Sequence, residues 1–169
     1  PPNELVAGTP QRRLRIDAQV SGHIRQNEGD IAELLGEVAP YVAEQFGRTG
    51  PLRFKHGRQA ITDVDVYVED HLSRRILERF PDHGVVGEER GQAGSATSPW
   101  QWHIDPVDGT LNYSIGIPVF STVLAVDHHG RSVAGGVVDP LRRELFTAAR
   151  GGGAFLGDTP MRGPQGRHL

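Results

Sequence analysis

The spacing of apolar residues changes character along the chain. Ile31, Leu34, Leu35, Val38, Val42 and Phe46 recur at three- and four-residue steps, with Glu33, Glu37 and Glu44 between them. That spacing puts one apolar stripe on a helix. Pro40 lies within it and is expected to kink or split the helix, because proline removes a backbone donor and crowds the preceding turn. A second helix is expected from about Asp63 to Arg79, where Val64, Val68, Leu72, Ile76 and Phe80 recur every fourth residue. Thr62 stands where an N-cap hydroxyl is wanted, and Pro81 ends the run. Beyond it the texture is β, with short apolar runs at Gly84–Gly87, Trp100–Ile104, Val119–Val126, Ser132–Val138 and Glu144–Ala148. Turn-forming HHG at 128–130, DPLRR at 139–143 and GGG at 151–153 separate the later runs. The last three runs read as an antiparallel meander. Helices followed by a mainly antiparallel sheet define a layered α/β domain rather than alternating βαβ units. Residues 1–30 show no sustained period and read as a poorly ordered lead-in, 31–162 as the domain, and 163–169 as a tail.

Composition narrows the partners. The 169 residues amount to about one domain, and 37% hydrophobic with 23% charged content is enough for a core. A net charge of −3 with no long basic run argues against nucleic acid or an anionic membrane as the main partner. The chain has no Cys, so disulfides, thiolate metal sites and a cysteine nucleophile are excluded. No apolar run approaches a membrane span, and the first 30 residues lack the apolar stretch of a signal peptide. Together these point to a cytoplasmic protein. The first residue is Pro rather than Met, which suggests a processed or incomplete chain.

The chemistry concentrates in WHIDPVDGTLNY at 102–113. Asp105 is expected to end a strand, Pro106 to turn the chain, and Gly109 and Thr110 to open a helix, with Asp108 between. Carboxylates gathered beside a helix start suit a hard cation such as Mg²⁺ and a phosphate, although Asp, Pro and Gly alone would equally make a polar turn. Glu88 and Glu89 follow another strand-like run, and Asp65 lies near the start of the second helix, where the helix dipole also favours an acid. Asp63 fits that dipole role as well. Three acidic clusters in this order specify more than any one of them. The histidines offer no zinc pair: His128 and His129 read as a hairpin turn and His103 as a strand residue. Gly151–Gly153 reads as a turn.

TDVDVYVE at 62–69, GEE at 87–89 and WHIDPVDGTLNY at 102–113 together resemble the inositol monophosphatase family of Mg²⁺-dependent, Li⁺-sensitive phosphatases. GGVVDPLRRELFTAARGGGAF at 135–155 is similar to the β-meander of that family. The resemblance implies the N-terminal α+β part of the family's sandwich, with the C-terminal α/β half absent. It implies that Glu88, Asp105 and the Val107 carbonyl bind a first Mg²⁺, Asp105 and Asp108 a second, and Asp65 with Glu88 a third. Glu88, Thr110 and Asp65 would form the catalytic set, with Thr110 and Glu88 orienting and deprotonating a water. The N–H groups of Gly109 and Thr110 would hold the substrate phosphate. Lys55, the single lysine, and Glu89 are secondary candidates. The family's later Trp-Asp-x-Ala element has no counterpart, since neither Trp100 nor Trp102 precedes an Asp, so the second metal site is expected to be incomplete. The implied activity is Mg²⁺-dependent hydrolysis of a small phosphorylated alcohol of the inositol phosphate kind, with a homodimer as the implied assembly. The alternative is a truncated or catalytically impaired member that binds metal or phosphate, or acts through protein contacts.

Overall fold

The first helix begins well before its expected start. The computed structural model describes residues 18–48, 53–54 and 60–163, and α1 runs unbroken over Ala18–Gln45. Residues 18–30 therefore belong to the helix rather than to a lead-in, while 1–17 lie outside the described residues. Ile24 and Asn27, each 2% exposed, extend the apolar stripe by about two further turns. A polar Asn inside that stripe is what hides the period in the sequence. Nor does Pro40 split the helix. Pro40 and Gly36, whose carbonyl loses its usual partner, are both exposed, so water can satisfy the freed oxygen.

After a short hairpin of β1 (Arg53–Phe54) and β2 (Ala60–Ile61), α2 spans Asp63–Arg79 as the spacing predicts. Thr62 caps it: its side chain accepts from the Val64 and Asp65 N–H groups, while the Asp65 carboxylate accepts the Thr62 N–H. The two helices are laced together by charge. Arg75 donates to both oxygens of Glu37 at 2.8 and 3.0 Å, His71 Nε2 lies 3.0 Å from Glu37, and Arg79 reaches Asp30 and Glu33. The Arg75 hydrogen bonds, with that of His71, outweigh burial and hold the Glu37 carboxyl down at about 2. A group so depressed stabilises the fold above its ordinary value of 4.5 and loses that contribution as pH falls towards 2. Glu37→Gln is accordingly expected to cost about 1 kcal/mol at pH 7 and to flatten the acid limb of stability between those values. Urea unfolding at pH 7 and pH 3 checks it, and an identical acid loss in both proteins would contradict it.

Among the described residues, eight strands form one sheet in the order β10-β9-β8-β7-β6-β5-β3-β4. They are β3 (Gly84–Gly87), β4 (Gly91–Gly94), β5 (Trp100–Asp108), β6 (Ser121–His128), β7 (Arg131–Asp139), β8 (Glu144–Ala149), β9 (Gly153–Leu156) and β10 (Thr159–Pro160). Only β3 and β5 run parallel; every other pairing is antiparallel. Residues 129–130 and 151–152 form the turns expected at 128–130 and 151–153, with His128 closing β6 and Gly153 opening β9, and the short strands β4, β9 and β10 lie outside the expected runs. Both helices lie on one face, α1 against β6, β7 and β8, and α2 against β3 and β5. Trp102, Ile104, Leu124 and Val126 point into this layer and are buried with Leu34, Leu35, Leu72 and Ile76. Asp105, Val123, Val137 and Phe146 line up across the opposite face, directly opposite one another in register.

Candidate active site

The parallel pairing brings the first two acids together. Gly87 lies opposite Ile104, so the next residues along each strand, Glu88 and Asp105, emerge side by side. Both leave the sheet on the face away from the helices. The two side chains come close enough for the Glu88 charge to act on Asp105. Two acids 17 positions apart in sequence become neighbours because β3 ends opposite Ile104, one residue before Asp105 on β5.

A β-bulge aligns the third. Asp105 faces Val123 and Asp108 faces Ser121, so three steps along β5 match two along β6. In a regular strand residues three apart point to opposite faces; the extra residue puts Asp105 and Asp108 on the same one. Pro106, which cannot donate to the ladder, sits in the irregularity, and its carbonyl accepts the Thr122 hydroxyl at 2.8 Å. The strand thus continues to Asp108, instead of ending at Asp105 with a turn at Pro106 as the sequence suggests.

Gly109 then reverses the chain into α3 (Thr110–Ser114) with φ of +94°. A Cβ there would also meet the Val119 carbonyl at 3.0 Å, so glycine fits on both counts. The Thr110 hydroxyl lies 2.8 Å from the Val107 carbonyl and 3.1 Å from Asp65 Oδ1, with its one proton shared between them. Asp65 is 1% exposed and ties the start of α2 to the start of α3, so it is more than a dipole-favoured acid; exposed Asp63 pairs with Arg53. Tyr113 anchors α3 from below, donating to the Val42 carbonyl at 2.8 Å in the last turns of α1.

Electrostatics mark Asp105 as the centre. Burial, then the charges of Glu88 and Asp108, the hydrogen bond with Glu88 and the charge of Asp65 push its carboxyl up to about 7. Among the described residues its Oδ1, which is buried, has no hydrogen-bond partner. An unpartnered buried carboxylate oxygen among other acids is a place that favours a cation, and the donors at hand, carboxylates and a backbone carbonyl, suit Mg²⁺. Among the described residues, no three His, Asp or Glu side chains lie close enough to hold an ion as they stand. Glu88 and Asp108 are exposed. The donor types present, carboxylate and backbone carbonyl oxygens, are those a hard cation takes.

Lys55 lies outside the described residues. Glu89 sits in the turn after β3, and its N–H is taken by Glu69 at 2.6 Å. Glu69 itself goes unremarked in a reading of motifs. Its signal was a carboxylate four residues after Asp65, on the face of α2 that also carries Leu72 and Ile76.

Fold and site together define a layered α/β protein with a carboxylate cluster just past the end of β3 and along the bulged end of the parallel strand β5. The chain belongs to the inositol monophosphatase family, whose model matches residues 28–167. It is 38% identical over 130 residues to the Nus factor SuhB of Pasteurella multocida, covering 76% of this chain and 49% of that protein. It is 37% identical over 102 residues to the inositol-1-monophosphatase of Mesorhizobium japonicum, covering 60% and 38% respectively. The crystal structure of the extragenic suppressor protein suhB from Bartonella henselae superposes with a TM-score of 0.76 at 28% identity, covering 85% of this chain and 55% of that one. The chain therefore spans about half the length of the relatives it matches. Relatives named as Nus factors leave the charge-based exclusion of nucleic acid without support. Among the described residues no helix is long and apolar enough to cross a membrane.

Proposed function

We propose that the chain carries the acidic site of a Mg²⁺-dependent phosphomonoesterase acting on a small phosphorylated alcohol. The observation that carries this reading is the convergence of Glu88, Asp105 and Asp108, with a buried Asp105 oxygen among them that has no hydrogen-bond partner among the described residues. Glu88, Asp105 and the Val107 carbonyl would hold one Mg²⁺, Asp105 and Asp108 a second, and Asp65 with Glu88 a third. Mg²⁺, when bound, supplies charge neutralisation on phosphate oxygens and a more acidic water.

The chain's own groups handle the proton and the anion. With its proton directed at Asp65 and Val107, the Thr110 hydroxyl keeps lone pairs with which to accept from a water. Glu88, exposed and next to Asp105, takes that water's proton. The N–H groups of Gly109 and Thr110, at the turn into α3, donate to the phosphate. Phosphate release from a panel of inositol, sugar, nucleotide and histidinol monophosphates tests the reading. Release should require Mg²⁺ and stop on adding EDTA; release unaffected by EDTA would overturn it.

A second reading has its own support. Leu111, Ile115, Ile117 and Val119, next to Thr110, are 54, 59, 42 and 59% exposed, a patch suited to a protein contact. A member that binds metal or phosphate and acts through such contacts would bind Mg²⁺ yet release no phosphate from any ester.

A further inference from the structure

Glu69 has no exposed surface, and among the described residues its hydrogen bonds come from backbone N–H groups. One carboxylate oxygen accepts the Glu89 N–H and the other the Arg90 N–H, each at 2.6 Å. On the other side of Glu88, a Cβ on Gly87 would fall 2.0 Å from Glu69 Oε1, so the carboxylate fills the space a side chain at 87 would need. A single buried group therefore fixes the residues on both flanks of Glu88. Asp65, one helical turn earlier on α2, ties down Thr110 in the same way, so two acids on one helix face reach the two loops of the site.

We infer that Glu69 is a positioning residue, clamping the turn after β3 so that the Glu88 carboxylate is delivered beside Asp105. This rests on the reading of Glu88 and Asp105 as metal ligands. Two adjacent N–H groups need two acceptor oxygens, and an ionised carboxylate gives charge-assisted bonds to both. A glutamine of the same shape offers one oxygen, and its NH₂ would oppose the second N–H. The Gly of Gly-Glu-Glu then has a physical role, as the seat of Glu69.

Glu69→Gln tests this in the full chain, with exposed Glu78→Gln on the same helix as control. Amide exchange by NMR, without metal, should be about tenfold faster at Glu89 and Arg90 in Glu69→Gln. Calorimetric titration with Mg²⁺ should show affinity about 10- to 100-fold weaker, the range for groups that support metal ligands, and unchanged in Glu78→Gln. Phosphate release lost at low Mg²⁺ should return at high Mg²⁺, which a loss of fold would not allow. Gly87→Ala attacks the same contact from the other side and should weaken Mg²⁺ binding likewise. Wild-type Mg²⁺ affinity in either folded variant would overturn the inference. Absence of Mg²⁺ binding by the wild-type chain would instead overturn the metal-site reading, and this inference with it.

Discussion

Asp105→Asn should cut Mg²⁺-dependent phosphate release roughly 10³-fold, about 4 kcal/mol of barrier, while making the metal-free chain more stable above pH 7. The two effects share a cause. Asp105 is half-buried beside Glu88 and Asp108, and these surroundings hold its carboxyl up at about 7 against an ordinary 3.8. The metal-free fold therefore binds this proton more tightly than the unfolded chain does. Its stability falls as pH rises from about 3.8 to about 7, and above that the full penalty of an ionised Asp105 remains. Asparagine has no charge to bury, so at pH 8 the variant should gain on the order of 2 kcal/mol, and little at pH 4. Urea unfolding in EDTA at both pH values, beside the phosphate assay, measures both effects. Equal turnover in the two proteins would remove Asp105 from the site, and equal stability at pH 8 would remove the crowding of its charge.

Trp102→Ala should be the most damaging core change, costing about 4 kcal/mol. Trp102 is fully buried on β5, its ring 5.4 Å from that of Phe80, and its indole N–H donates to His83 Nδ1 at 3.0 Å. His83 in turn stacks on Phe80 and Trp100 at 4.8 and 5.7 Å between ring centroids. Removing the indole leaves a cavity at the junction of α2, β3 and β5 and takes the donor from His83. Trp102→Phe should recover much of the packing and cost under half as much. Chemical denaturation of both variants checks the order, and a Trp102→Ala chain within 1 kcal/mol of wild type would contradict it. Because Asp105 lies three residues further along the same strand, lost activity in this variant should track the unfolded fraction.

Helix α2 was legible because its four-residue stripe and its Thr62 cap are local signals that tertiary contacts only reinforce. The acids at 65, 88, 105 and 108 were legible as candidates through their motifs. What brings them together was not. The bulge at Pro106 and Val107 has no periodicity to announce it, and the adjacency of Glu88 and Asp105 depends on a parallel register between distant segments. Asn27 and Glu69 are polar residues at inward positions, which pattern reading assigns to the surface. Glu69 finds its partners in backbone N–H groups, while the Asn27 amide nitrogen is buried with no hydrogen-bond partner among the described residues. Pro40 misled for the opposite reason, since a helix tolerates it where the freed carbonyl meets water.

The bulged end of β5 bears on which sequence changes this site can absorb. Deleting Val107 would leave the two aspartates two apart, still on one face of a now regular strand, so an alignment of acids alone would judge the change harmless. A regular strand, however, commits its carbonyls to its neighbours. The shortened segment would lose the main-chain oxygen that now meets Thr110, and with it the link from β5 through Thr110 to Asp65. Counting from Asp105 to Thr110 is thus as strict a requirement as the identity of the acids, and a one-residue gap there would mark a relative that no longer holds its site the same way.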